Sequence, residues 1–241
     1  MSGTSTNWCR HLPRDVGVVV VAAGQGSRLG GSVPKQFREI AGIPLVVRAL
    51  RPFLDHPDVT QVVLTLSSEH VSAPPAWLAS MLSDRLTVVA GGAERRDSVA
   101  AGLRALRPEC RTVLVHDGAR PFVERATIDA VLARAREGWG AVAAVPLSDT
   151  LKEAGSGTDP VQVSRTLPRE RLWRAQTPQG FPRAMLERAY EAFNGLEATD
   201  DAVLVERLGE RVCVVPDSPR NFKVTTPEDL AFAEVMATRP A

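Results

Sequence analysis

Two cations and four glycines crowd into one stretch, Gly24-Gln25-Gly26-Ser27-Arg28-Leu29-Gly30-Gly31-Ser32-Val33-Pro34-Lys35, directly behind an apolar run at 16–23. Glycines let backbone N–H groups come close to a phosphate, and Arg28 and Lys35 can neutralise triphosphate oxygens and the charge that develops during nucleotidyl transfer. The common phosphate-loop patterns are missing. A dinucleotide fingerprint needs glycine at the sixth position from Gly24, where Leu29 stands, and a Walker loop begun at Gly26 needs lysine where Ser32 stands. The stretch therefore also reads as a surface turn with solvated charges.

Two further groups carry chemistry. In Gly91-Gly92-Ala93-Glu94-Arg95-Arg96-Asp97-Ser98 the glycines and Ser98 can face a base or ribose, or the segment is simply a tight turn into a helix with its charges solvated. In Val113-Leu114-Val115-His116-Asp117-Gly118-Ala119-Arg120-Pro121 an acid and a base follow an apolar run. Asp117 can hold magnesium directly or through its waters, and Arg120 can reach an incoming phosphorylated alcohol; a strand-end ion pair is the other reading. Strand alternation points His116 away from Asp117, as a hydrogen-bonded core histidine rather than a base. A phosphate nucleophile is ionised near neutral pH and needs no base.

These residues need elements that bring them to one edge. Short apolar runs at 16–23, 60–66, 87–90, 111–116, 141–145 and 211–215 are strand-like. Between most of them lie helical patterns, clearest at 94–106 (Val99, Leu103 and Leu106 on one face), at 124–137 (Ile128, Val131, Leu132 and Ala135) and at 182–193. The alternation predicts an α/β fold, with a mostly parallel twisted sheet covered by helices on both faces and ligands beyond the strands' carboxyl ends. Residues 1–15 read as a polar tail and 16–241 as one domain. A polar stretch at 150–165, with β-like ends at 150–153 and 161–165, breaks the rhythm and reads as a projecting arm. Thr226, Pro227, Glu228 and Asp229 signal the start of a last helix.

The bulk composition narrows the function classes. With 44% hydrophobic and 24% charged residues and a net charge of +1, the chain reads as an ordinary globule, without the basic excess of a nucleic-acid binder. Neither a signal peptide nor a membrane span is apparent, which points to the cytoplasm. Cys9, Cys110 and Cys213 are widely spaced and form no zinc pattern, as expected of a reduced protein.

Taken together, Ala22-Ala23-Gly24-Gln25-Gly26-Ser27-Arg28, Pro34-Lys35-Gln36, Gly91-Gly92, Val115-His116-Asp117-Gly118-Ala119-Arg120-Pro121 and Asn221-Phe222-Lys223-Val224-Thr225 resemble the 2-C-methyl-D-erythritol 4-phosphate cytidylyltransferases of the non-mevalonate isoprenoid pathway. The likeness runs in order from about residue 16 to 234. It implies a Rossmann-like nucleotidyltransferase fold whose projecting β-arm, at about 150–170, makes a homodimer. It also implies transfer of a cytidylyl group from CTP to the polyol phosphate, with magnesium or another divalent ion. Position by position, Ala22, Ala23, Gly24, Gly26, Gly92 and Ser98 would surround CTP, with Arg28 and Lys35 on its phosphates and Lys223 as a third catalytic cation. Asp117 and Arg120 would hold the methylerythritol phosphate, and Thr150 and Arg169 would reach into the partner subunit's site. Two positions depart from the family: Ala93 stands where an acidic residue is frequent, and Gly118 where alanine or serine is. Ribitol-5-phosphate cytidylyltransferases share the fold and most motifs and differ around Arg120, Thr150 and Arg169. A nucleotide-binding module without turnover would have no need of three cations and Asp117 together.

Overall fold

The chain was studied as a computed structural model, which describes residues 14–24, 33–157, 159–193 and 198–238. Its first strand, β1 (Val16–Val21), contains only valine and glycine. Branched side chains fit a pleated strand, and successive ones point to opposite faces, so such a run needs cover on both sides. On one face Val16, Val18 and Val20 pack with α1 (Leu45–Leu54) and, further along, α5 (Arg125–Arg136). On the other, Val19 packs with α4 (Arg95–Ala105), α6 (Arg183–Ala192) and α7 (Asp201–Arg207). Each fully buried valine or leucine contributes roughly 1.5–3 kcal/mol, so the two apolar layers fix which way every strand faces.

The other main strands are β4 (Val59–Leu66), β5 (Leu86–Ala90), β6 (Thr112–Asp117), β7 (Gly140–Pro146), β10 (Trp173–Pro182) and β11 (Val212–Pro216). They form a seven-stranded sheet in the order β11-β7-β10-β6-β1-β4-β5. All are parallel except β10, which runs antiparallel between β6 and β7. The chain moves from β1 outward through β4 to β5 and then returns to β6 on the other side of β1. That reversal opens a crevice at the carboxyl ends of β1 and β6, the place where open α/β sheets bind ligands.

The remaining elements are small. The hairpin of β2 (Glu39–Ile40) and β3 (Ile43–Pro44) leads into α1, while α2 (Ser68–Ser72) and α3 (Ala76–Ala79) precede β5. An antiparallel pair, β8 (Leu151–Ala154) and β9 (Val163–Leu167), stands apart from the main sheet as the projecting arm expected at 150–165. The last helix, α8 (Pro227–Thr238), starts as its sequence predicts. The Asp229 amide donates to Thr226 Oγ1 at 3.2 Å, and the Thr226 amide donates back to Asp229 Oδ2 at 2.9 Å. Arg14 and Asp15, read from sequence as the end of the tail, are instead tied to the sheet. The backbone amides of Arg111 and Thr112 donate to the Asp15 carbonyl, and Arg136 pairs with its carboxylate at 2.8 Å. Among the described residues, no helix is long and apolar enough to cross a membrane.

Candidate active site

Three strand ends meet at the crevice. Beyond β1 the chain continues as Ala22, Ala23 and Gly24, and the Ala22 amide donates to the Thr65 carbonyl at 2.9 Å. Beyond β5 come Gly91 and Gly92. A Cβ on Gly91 would stand 2.5 Å from both the Ala23 Cβ and Ser98 Oγ, and one on Gly92 would stand 2.2 Å from the Asp97 Cβ. Only glycine allows this approach, which seats the second glycine pair directly against the first loop. Ser98, on the first turns of α4, is buried; its hydroxyl accepts from the Gly92 amide and donates to the Glu94 carbonyl, each at 3.2 Å. The helix is closed by a reciprocal capping box between Glu94 and Asp97, so its position is fixed at the end facing the cleft.

The third strand end carries the charge. Asp117, the last residue of β6, is buried, and three cations surround it: Arg95 Nε at 3.2 Å from Oδ1, and Lys223 Nζ at 3.0 Å and Arg120 Nε at 3.5 Å from Oδ2. Burial alone would push its carboxyl pKa up. Arg95, Lys223 and Arg120 together outweigh burial and hold it well below the usual carboxylate range, so Asp117 is a fixed anion.

Lys223 reaches this point on a segment outside the main sheet. The Val224 amide donates to the Ala119 carbonyl at 2.9 Å, and the buried Asn221 carbonyl accepts from Arg120 Nη1 and Gln176 Nε2, both at 2.8 Å. Asn221 Nδ2 in turn donates to the Thr177 carbonyl at 2.7 Å.

His116 is a core residue, as alternation predicts. Its ring packs on Phe53 with centroids 4.9 Å apart, on the side of the sheet opposite Arg95. Nε2 lies 3.0 Å from the Arg120 carbonyl and Nδ1 3.0 Å from Thr177 Oγ1, which also accepts from the Asp117 amide at 3.0 Å. Since the carbonyl can only accept, Nε2 carries the proton and Nδ1 accepts from Thr177, whose hydroxyl thereby links His116 to the Asp117 backbone.

The resulting open cleft, of about 260 Å³, brings most of the expected residues together. Ala22, Ala23, Gly24, Lys35, Gly92, Ser98, Asp117 and Lys223 all line it. Arg28 and Gly26 lie outside the described residues. Arg120 is buried behind Asp117, held by the Asn221 carbonyl, and does not line the cleft. Thr150 and Arg169 are exposed at the root of the arm, where Arg169 donates to the Ser148 carbonyl, and they too stand outside this cleft.

Residues 16–239 match the family described as 2-C-methyl-D-erythritol 4-phosphate cytidylyltransferase. The chain belongs to that family. Its similarity to the family member of Carboxydothermus hydrogenoformans is 42% identity over 227 residues, 93% of this chain and 96% of that one. With the Frankia casuarinae member it shares 44% over 228 residues, 93% of this chain and 82% of the other. The crystal structure of the Thermus thermophilus cytidylyltransferase superposes with a TM-score of 0.76 at 36% identity, covering 93% of this chain and all (100%) of that one.

Around the cleft of this family member stand further residues that its sequence does not advertise. Arg95 reads as a solvated charge on a helix start, yet it lines the cleft and pairs with two buried carboxylates. Its spacing three residues before Ser98 is the available signal, since residues i and i+3 share a helix face. Gln176 and Thr177 carry no apolar periodicity, and only the structure shows them bracing Asn221 and Asp117.

Proposed function

We propose that this cleft joins CTP to 2-C-methyl-D-erythritol 4-phosphate, giving 4-diphosphocytidyl-2-C-methyl-D-erythritol and pyrophosphate. The observation that carries the reading is the convergence of Lys35 and Lys223 on one cleft that Gly92 and Ser98 also line. A backbone-lined wall suits a base and ribose, and paired cations suit a triphosphate. A phosphate oxygen of the polyol phosphate attacks the α-phosphorus in line, the bond from that phosphorus to the bridging oxygen breaks, and pyrophosphate leaves with the electron pair. Lys35 and Lys223, with Arg28 from the glycine loop, stabilise the extra negative charge on the α-phosphoryl oxygens. Holding nucleophile and leaving group in line supplies the rest.

A divalent ion is best delivered on the triphosphate itself, where it would draw charge from the leaving pyrophosphate. Both oxygens of Asp117 already meet cations, so the carboxylate does not fit as a direct ligand and suits only an ion's bound water. Among the described residues there is no cluster of three or more carboxylate, histidine or cysteine side chains to form a cage.

The arm completes the reading. Thr150 and Arg169 stand outside their own chain's cleft, in keeping with a homodimer in which each arm serves the partner's polyol-phosphate pocket. The free thiols of Cys110 and Cys213 suit the cytoplasm. In a pyrophosphate-release assay with both substrates, Lys35→Ala and Lys223→Ala are each expected to slow turnover on the order of a hundredfold or more. Near-normal rates with both variants would overturn the assignment.

A further inference from the structure

Five side chains of opposite charge type meet at the cleft wall and just behind it: Arg95, Arg120 and Lys223 with Asp117 and Asp201. They leave one positive charge in excess, and its location decides what the cluster can do. Asp201, at the start of α7, has a fully buried side chain and is held by Arg95 Nη2 at 2.8 Å and by the Tyr190 hydroxyl at 2.5 Å. Arg95 spans both carboxylates, with Nε on Asp117 and Nη2 on Asp201. Arg120 is committed to Asp117 and the Asn221 carbonyl. Lys223 is the most exposed of the five, its side chain 40% open against 27% for Arg95. The surplus charge therefore resides on the most exposed of the three members that line the cleft, Arg95, Asp117 and Lys223.

We infer that Arg95 is a positioning residue for the transfer reaction, acting through Asp117: by occupying Oδ1 and drawing on Asp201 behind it, Arg95 leaves Lys223 only partly engaged and free to turn its ammonium to the phosphates. The inference rests on the cytidylyl-transfer reading. An arginine suits the role and a lysine does not, because the planar guanidinium reaches two carboxylates at fixed angles. Without Arg95, Asp117 has only Arg120 and Lys223 as partners, and Lys223 becomes locked into a buried pair. The expected signature is a fall in kcat with little change in the KM for CTP.

Because Arg95→Gln alone strands Asp201 as an unpaired buried carboxylate, the measurement starts from Asp201→Asn, which removes that charge. Four proteins are compared, Asp201→Asn with and without Arg95→Gln, and the same two with Asp117→Asn added, all read as kcat and KM for CTP and the polyol phosphate. With Asp117 present, Arg95→Gln is expected to lower kcat about tenfold and to leave the KM for CTP within about twofold; with Asp117→Asn it changes kcat by less than about twofold. Equal losses in both backgrounds, or a rise in the KM for CTP regardless of Asp117, would overturn the inference by showing a structural or direct nucleotide-binding role. Failure of the wild-type chain to release pyrophosphate from these substrates would overturn instead the functional reading on which it rests.

Discussion

Asp117 and His116 are adjacent, and burial acts on them in opposite ways. Asp117 keeps its charge because three cations surround it, whereas His116 is kept neutral. Burial dominates and pushes the imidazole pKa down to about 4; the Arg120 carbonyl and the nearby Asp117 and Asp217 favour the charged form but do not make up the difference. The consequence for stability has a definite sign. Between pH 6.5 and about 4 the unfolded chain binds a proton at this ring and the folded chain does not, so stability falls as pH drops through that window. Complete passage is worth roughly 3 kcal/mol, and the part between pH 6.5 and 5 roughly 2 kcal/mol. His116→Gln, which does not titrate there, is expected to lose correspondingly less stability than the wild type when urea midpoints are compared at pH 6.5 and 5. Parallel midpoints for the two proteins would show that the ring does not carry the effect. The core role of His116 was legible from strand alternation alone, because alternation is a backbone property. The role of Arg95 was not, because its two partners lie 22 and 106 residues away in the chain.

At the scale of elements, α4 shows how a secondary-structure unit sets the site. Its first turns carry Arg95 and Ser98, and Gly102 in its buried face allows it to lie close on the sheet. A Cβ there would stand 2.4 Å from Val19 Cγ1 and 3.3 Å from Thr65 Cγ2, two fully buried side chains of β1 and β4. Alanine improves intrinsic helix propensity by about 1 kcal/mol, while overpacking a core costs about 1–3 kcal/mol. Gly102→Ala is therefore expected to lower stability by about 1 kcal/mol, read as a shift of the urea midpoint, and to raise the KM for CTP as the helix is pushed outward. A stabilised variant would mean that the helix is free to shift.

Elements of this kind were legible wherever one apolar face or run announces them, as in β1, β4, α4 and α5. Two were not. The interior strand β10 reads Gln176-Thr177-Pro178-Gln179-Gly180 through its buried middle, where Thr177, Gln179 and the Gln176 Nε2 are hydrogen-bonded to His116, Asp200, the Ala202 amide and the Asn221 carbonyl instead of being replaced by apolar side chains. Helix α1 has Pro44 just before it and Pro52 inside it, so breakers mask a segment whose Leu45, Val46, Leu50 and Phe53 are all buried.

At the scale of the whole molecule, the arm bears on how many chains build one site. Its β8–β9 hairpin exposes Val161 and Val163, and neighbouring Trp173 is 41% open. Apolar side chains at such a projection suit a covering partner. Thr150 and Arg169 stand at its root, outside the cleft of their own chain. In a two-fold dimer each arm would present these residues to the other subunit's cleft, so each site would draw Lys35 and Lys223 from one chain and Arg169 from the other. Complementation tests this directly. Arg169→Ala and Lys35→Ala are each expected to be nearly inactive alone. Unfolded together in equal amounts and refolded, half of the dimers are mixed, and each mixed dimer has one site with Lys35 and Arg169 both intact. Turnover should then return to about a quarter of the wild-type value. If mixed dimers form, as read by two affinity tags on one particle, and no turnover returns, then Arg169 serves its own subunit, and the shared-site architecture is wrong. Recovery near a quarter would place the arm inside the catalytic unit and make the dimer, rather than the chain, the smallest active species.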